Sequence, residues 1–174
     1  NFTNSGADTV SSIARWNGAH WLPMGVGFLN AEDPFAFTNA FAVSARPNGE
    51  VIAGGEFMFA GGNVSPYIAR WACPNSPCDP SPKWSGLPTG GGANDSVTSS
   101  ALFNGGAGEE LYMGGVFSSV GGVAAEGLAK WNGASWSGVS LSPGAEVYAM
   151  TVHDDGSGPA LLVGGFFTSA GPVA

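Results

Sequence analysis

A phrase that returns at fixed spacing constrains this chain more than any other feature. At Leu111-Tyr112-Met113-Gly114-Gly115-Val116-Phe117 an apolar run meets a glycine pair and then an aromatic, with Leu128-Ala129-Lys130-Trp131 following. The same phrase stands at Val51-Ile52-Ala53-Gly54-Gly55-Glu56-Phe57 with Ile68-Ala69-Arg70-Trp71. One half of it, Phe2 with Ile13-Ala14-Arg15-Trp16, lies early in the chain, and the other half, Leu161-Leu162-Val163-Gly164-Gly165-Phe166-Phe167, lies late. Phenylalanine and tryptophan are 14 residues apart in three copies (16−2, 71−57, 131−117). The first glycine and the tryptophan are 17 apart in two (71−54, 131−114). Such self-similarity marks a repeat architecture and takes precedence over any local reading.

The spacing predicts four strands per unit. Counting 17 residues back from Gly54, Gly114 and Gly164 reaches Phe37, Val97 and Val147, each opening an alternating segment. Alternation of period two reads as a strand with one buried face. The second strand runs into the glycine pair, the third into Trp16, Trp71 or Trp131, and the fourth holds Trp21, Trp84 or Trp136. Turn chemistry marks the joins. The first connection crosses Pro47-Asn48-Gly49, Asn104-Gly105-Gly106 or Asp154-Asp155-Gly156-Ser157-Gly158, and the second crosses Gly61-Gly62 or Gly121-Gly122. The third crosses Asn17-Gly18 or Asn132-Gly133, where both residue types tolerate positive φ. No segment carries a capped pattern of helical period.

Four short strands per unit, with repeated aromatics and glycines, predict an all-β chain of β-propeller-like blades. The apolar-Gly-Gly phrase and its trailing aromatics resemble the kelch repeat of galactose-oxidase-like propellers. Trp16, Trp71 and Trp131 stand where kelch usually has tyrosine, while Trp21, Trp84 and Trp136 match its tryptophan. The form Gly-Gly-x-Phe-x-x-x-Gly-Gly-Val followed by Ala-Lys-Trp-Asn-Gly looks like that of large bacterial surface proteins with many such units. The resemblance implies a fold and no chemistry, because propellers host enzymes, lectins and scaffolds alike. No Tyr/His/Cys set matches the copper site of galactose oxidase. The structural repeat positions expected are Gly54, Gly55, Phe57, Trp71, Gly114, Gly115, Phe117, Trp131, Gly164, Gly165, Phe167 and Trp16. The glycines are expected where backbones crowd, and the aromatics in the packing between blades.

One repeat domain over residues 1–174 divides at approximately 2–36 (third and fourth strands), 37–96 and 97–146 (full blades) and 147–174 (first and second strands). The terminal halves are complementary and sum to a third blade. Three blades are too few for a ring, since propellers have about four to eight. The expectation is that these halves find partners elsewhere, in a six-bladed dimer, a head-to-tail filament, or the continuation of a longer chain. A start at Asn1-Phe2-Thr3, already inside a repeat, suits a processed product, an expressed segment or a piece of something longer.

Composition limits the partners. Only 10% of the residues are charged and the net charge is −8, so no basic patch is available for nucleic acid or an anionic membrane. No apolar run approaches the roughly 20 residues of a spanning helix. With 44% hydrophobic residues the chain has enough apolar material for a core. Little lysine with much glycine, serine, threonine and asparagine suits an extracellular or cell-surface protein.

Isolated groups of chemical interest remain. Cys73 and Cys78, in Cys-Pro-Asn-Ser-Pro-Cys, suit a small disulfide loop, with free thiols and zinc as alternatives. Asp154 and Asp155 are a weak calcium candidate in what reads as a plain turn. Asn1, Asn63 and Asn94 fit the glycosylation acceptor pattern. His20 and His153, the only histidines, lack a repeated companion that would make a catalytic set. No catalytic residue, metal or cofactor is expected. The expected function is that of a non-enzymatic extracellular structural protein, a self-associating filament or surface scaffold. The alternative is a carbohydrate-binding propeller closed by oligomerisation, with glycans as partners.

Overall fold

The computed structural model describes residues 4–5, 8–9, 11–30, 38–73, 82–87 and 91–171. All regular structure among them is antiparallel β-strand. β1 (Ala14–Trp16) and β2 (Trp21–Pro23) form a hairpin. β3 (Asn39–Ala45), β4 (Val51–Glu56), β5 (Ile68–Ala72) and β6 (Lys83–Ser85) make a four-stranded sheet in chain order. β7 (Val97–Asn104), β8 (Glu109–Gly115), β9 (Leu128–Trp131) and β10 (Trp136–Gly138) make a second. β11 (Glu146–Asp154) and β12 (Pro159–Phe166) pair as a long hairpin.

The register corrects one sequence expectation. Ala40 faces Gly55, Val97 faces Gly115 and Val147 faces Gly165, each followed by a bulge before pairing resumes. Ala40, rather than Phe37, is therefore the counterpart of Val97 and Val147, and Phe37 lies outside the described residues. The count failed because the β3–β4 hairpin is three residues shorter: Gly54 follows Ala42 by 12, whereas Gly114 follows Ser99 by 15. Alternation fixes which face a residue takes but not where a strand starts, and hairpin length is set by the turn.

The turns between third and fourth strands also differ from expectation. Gly18 and Gly133 take φ of 99°, but Asn17 and Asn132 stay out of the left-handed region. Each asparagine instead uses its side-chain oxygen as an acceptor: Asn17 from the Ala19 and His20 amides, Asn132 from those of Ala134 and Ser135. These are Asx turns.

A second layer of pairing links successive sheets. Between β4 and β5 a short hairpin, Phe59–Ala60 with Asn63–Val64, turns through Gly61 and Gly62 at φ of 59° and 83°. Those values are the left-handed pair of a type I′ turn. The segment Phe28–Leu29, which follows β2, adds a third strand to this hairpin. The pattern repeats as bridges from Ala93 to Val120 and from Leu141 to Ala170. Gly61, Gly121 and Gly171 donate their amides to the carbonyls of Gly27 (2.9 Å), Gly92 (3.0 Å) and Ser140 (2.8 Å). Each connector thus crosses to the hairpin of the following sheet and staples the two together.

Two apolar clusters form the core. One gathers Ile13, Met24, Phe28, Ala53, Phe57, Ala60, Ala69 and Trp84, and the other centres on Ile68, Val97, Met113, Phe117, Val120, Ala129 and Trp136. Each mixes residues of successive sheets, so the hydrophobic driving force acts between units as well as within them.

Candidate functional site

The glycine pair is built for contact between sheets. A methyl on Gly54 would come within 2.9 Å of the Val97 Cβ and 3.1 Å of the Met113 Cε, with Val97 Cγ1 nearer still. A methyl on Gly114 would meet the Val147 Cβ at 2.9 Å and the Ser99 Oγ at 2.7 Å. Val97 and Val147, at the start of β7 and β11, are therefore each seated on the first glycine of the preceding sheet, and only a missing Cβ permits it. Phe57 and Phe117, two residues after each pair, are both 1% exposed in the clusters above.

At the β11–β12 hairpin no described residue takes the corresponding place. A methyl on Gly164 finds nothing nearer than the Ala149 carbonyl at 3.9 Å, and Gly164, Gly165 and Phe166 are exposed. Tyr148, Val152 and Leu162 are exposed on the same hairpin. Beneath it runs a groove of about 560 Å³ whose lining includes Leu128, Leu141, Leu161, Val163, Phe167 and Ala170.

The tryptophans divide in the same way. Trp71 stacks at a tilt on Trp84 and Trp131 on Trp136, with ring centroids 5.3 Å apart in both pairs. Trp84, 1% exposed, donates its indole N–H to the Met24 carbonyl of the preceding connector at 2.7 Å. Trp16 and Trp21 form the same tilted pair at 5.5 Å, yet they are 53% and 54% exposed. The expectation that Trp16 packs between units is thus not met within the chain, because no described segment covers that side of the β1–β2 hairpin. Trp71 is half-buried and Trp131 buried.

Repeated ion pairs brace the second and third strands. Glu50 pairs with Arg70 and, at 3.4 Å, with Arg46, while Glu110 pairs with Lys130 at 2.8 Å. Burial raises the Glu50 carboxyl, but hydrogen bonding with Asn48 and Arg70 and the two guanidinium charges outweigh it, leaving the group below the usual carboxylate range. The bond to Glu110 holds the Lys130 ammonium above its ordinary value.

The other residues singled out from the sequence stand apart from one another. Asp154 Oδ1 accepts from the amides of Gly156 (2.8 Å) and Gly158 (3.1 Å), and Asn104 does the same for Gly106 and Gly108 in the preceding sheet. An amide performs the same task at the equivalent place, so Asp154 acts as a turn residue. Asp155 turns its carboxylate onto Ser157, whose side-chain and backbone bonds lower it. Among the described residues no group of three or more His, Cys, Asp or Glu could hold a metal ion. His20 and His153 are exposed, one in the β1–β2 turn and the other on β11. Asn63 is exposed and donates to the Trp84 carbonyl at 3.0 Å. Asn94 accepts from the Ser118 and Ser119 amides and donates to the Ser118 hydroxyl, so its side chain ties a connector to the next hairpin. Asn1 lies outside the described residues. Cys73 follows β5 and no described cysteine is free, while Cys78 lies outside the described residues.

The arrangement offers surfaces for packing between sheets. The linking connectors and the Ala40 register escaped the sequence reading. The signal for the first lies in the second glycine pair, Gly61-Gly62 and Gly121-Gly122, which closes a hairpin of its own rather than a plain turn. Compared with known protein families, curated proteins and solved structures, the chain gives no match.

Proposed function

We propose that this is a non-enzymatic, extracellular structural protein whose four-stranded sheets stack as propeller-like blades and which polymerises or continues through complementary half-units, as a filament or surface scaffold. The units run over approximately 2–36, 37–96, 97–146 and 147–174. The observation that carries the reading is the valine seat, occupied at Gly54 and Gly114 and built to the same pattern at Gly164, where no described residue lies over it. An apolar face built to the same pattern as two buried ones is a site for another element of the same kind. Low charge, the acceptor sequons and the Cys73/Cys78 pair support an extracellular setting, with the two cysteines joined as a disulfide.

Negative-stain imaging of the purified chain tests the proposal. Extended particles many subunits long are expected, and discrete unextended particles would sink the filament. A carbohydrate-binding reading draws on the exposed Trp16–Trp21 pair, since aromatic faces stack on sugars. That pair reproduces the geometry of Trp71–Trp84 and Trp131–Trp136, whose role is packing, so we favour the structural reading. A glycan array with clear, Trp21-dependent binding would reverse this preference.

A further inference from the structure

We propose that Asn104, in the turn between β7 and β8, is a site of spontaneous deamidation, and that Asn48, in the corresponding turn between β3 and β4, is shielded from the same reaction.

Both asparagines precede glycine, and both are exposed, so neither sequence nor access of water separates them. In deamidation the backbone nitrogen of the following residue attacks the side-chain Cγ. The N–Cγ bond forms, the Cγ–Nδ2 bond breaks, and the attacking nitrogen's proton passes through solvent to Nδ2, which leaves as ammonia. Water then opens the resulting succinimide at either carbonyl, returning a proton to the ring nitrogen and leaving aspartate or isoaspartate. Glycine favours the attack because no Cβ crowds its nitrogen. What remains to the fold is whether that nitrogen is engaged and what surrounds the oxygen that gains charge.

At Asn104 both conditions favour reaction. Its Oδ1 accepts from the Gly106 amide at 2.9 Å and from the Gly108 amide at 3.1 Å. Those donors face the atom on which negative charge develops in the tetrahedral intermediate, the arrangement of an oxyanion hole. The Gly105 amide, the attacking group, makes no backbone hydrogen bond among the described residues. At Asn48 both conditions oppose it. The Gly49 amide is committed to the Arg46 carbonyl at 3.0 Å, and among the described residues Oδ1 accepts only from the Glu50 amide, at 3.1 Å.

The next hairpin displays the product. Asp154 ends β11 as Asn104 ends β7, and its Oδ1 accepts from the Gly156 and Gly158 amides at 2.8 and 3.1 Å. Aspartate at position 104 would keep the same pair of bonds, strengthened by its charge. Glu109 lies opposite across the ladder, but it is exposed, so salt screens the added charge. Isoaspartate would instead lengthen the backbone by a methylene inside the turn and displace the cap.

Incubation of the full chain in mildly alkaline buffer made with heavy-oxygen water tests the proposal, since only acid formed during the incubation takes up label. Peptide mapping with fragmentation reads each asparagine. Asn104 should convert about tenfold or more faster than Asn48 in the folded chain. The two rates should converge in guanidinium chloride, where the turns are lost. Asn17 and Asn132, whose oxygens also accept two amides each, should side with Asn104. No conversion at Asn104, equal rates in the folded chain, or a preference that survives unfolding would overturn the proposal, as would Asn17 and Asn132 siding with Asn48. Asn104→Asp should melt with the wild type at moderate salt, and a clear loss would show that the turn does not hold the product.

Discussion

Gly114→Ala adds one methyl group, and the structure states where it would go. Its new carbon would lie 2.9 Å from the Val147 Cβ and 2.7 Å from the Ser99 Oγ, against the roughly 3.5–4.0 Å of comfortable carbon contact. Val147 is fully buried and held by its strand, so the sheets must separate or the valine must leave its rotamer. Overpacking of this kind costs about 1–3 kcal/mol. For a chain of this length each kcal/mol lowers Tm by about 2–4 °C, so the expected fall is about 2–12 °C. Gly54→Ala should behave alike, because Val97 stands over it as Val147 does over Gly114. Gly164→Ala is the control. With nothing nearer than 3.9 Å it should leave the single chain unchanged or stabilise it by about 0.4–1 kcal/mol through the unfolded state. Thermal melting by circular dichroism, at concentrations where sedimentation shows single chains, reads all three. Equal losses at Gly114 and Gly164, or no loss at Gly54 and Gly114, would refute the valine seat.

Other perturbations follow from the same geometry. Glu50 is held below its unfolded value, so its contribution is present above about pH 4.5 and is lost as the pH falls through the lower, folded value. Glu50→Gln should therefore lower Tm at pH 7 and lose less on going to pH 3 than the wild type, and parallel pH profiles would contradict this. Ser99 buries a hydroxyl with no partner among the described residues, where the equivalent positions hold Ala42 and Ala149. Ser99→Ala should be neutral or stabilise by up to about 1 kcal/mol in denaturant unfolding, and a clear loss would reveal a bond not accounted for. Intact mass before and after reduction and alkylation should show two cysteines blocked by one disulfide, whereas alkylation without reductant would exclude it.

Much of this architecture was legible because it depends on short-range chemistry. Alternation at Val97 and Val147, glycine-rich turns and the tryptophan spacing sufficed to order the strands of the two four-stranded sheets. Residues whose meaning depends on a neighbouring sheet were harder to read. Gly164 carries the same Gly-Gly-x-Phe phrase as Gly54 and Gly114, yet no described residue lies over it, since that contact is made by another sheet and not by the phrase itself. Trp16 likewise carries the same local phrase as Trp131 and ends exposed, since burial is decided by what covers the hairpin. The count of 17 reaches Phe37 and not Ala40 because turn length between β3 and β4 shifts the count without disturbing the alternation. Asn17 and Asn132 marked their turns correctly, but through side-chain capping rather than positive φ.

Sedimentation velocity of the unmodified chain over a wide concentration range tests the central claim most directly. The account predicts a weight-average mass that climbs with concentration well beyond the 17.5 kDa of one chain, without a plateau at the dimer. A single boundary at 17.5 kDa throughout the range would contradict it.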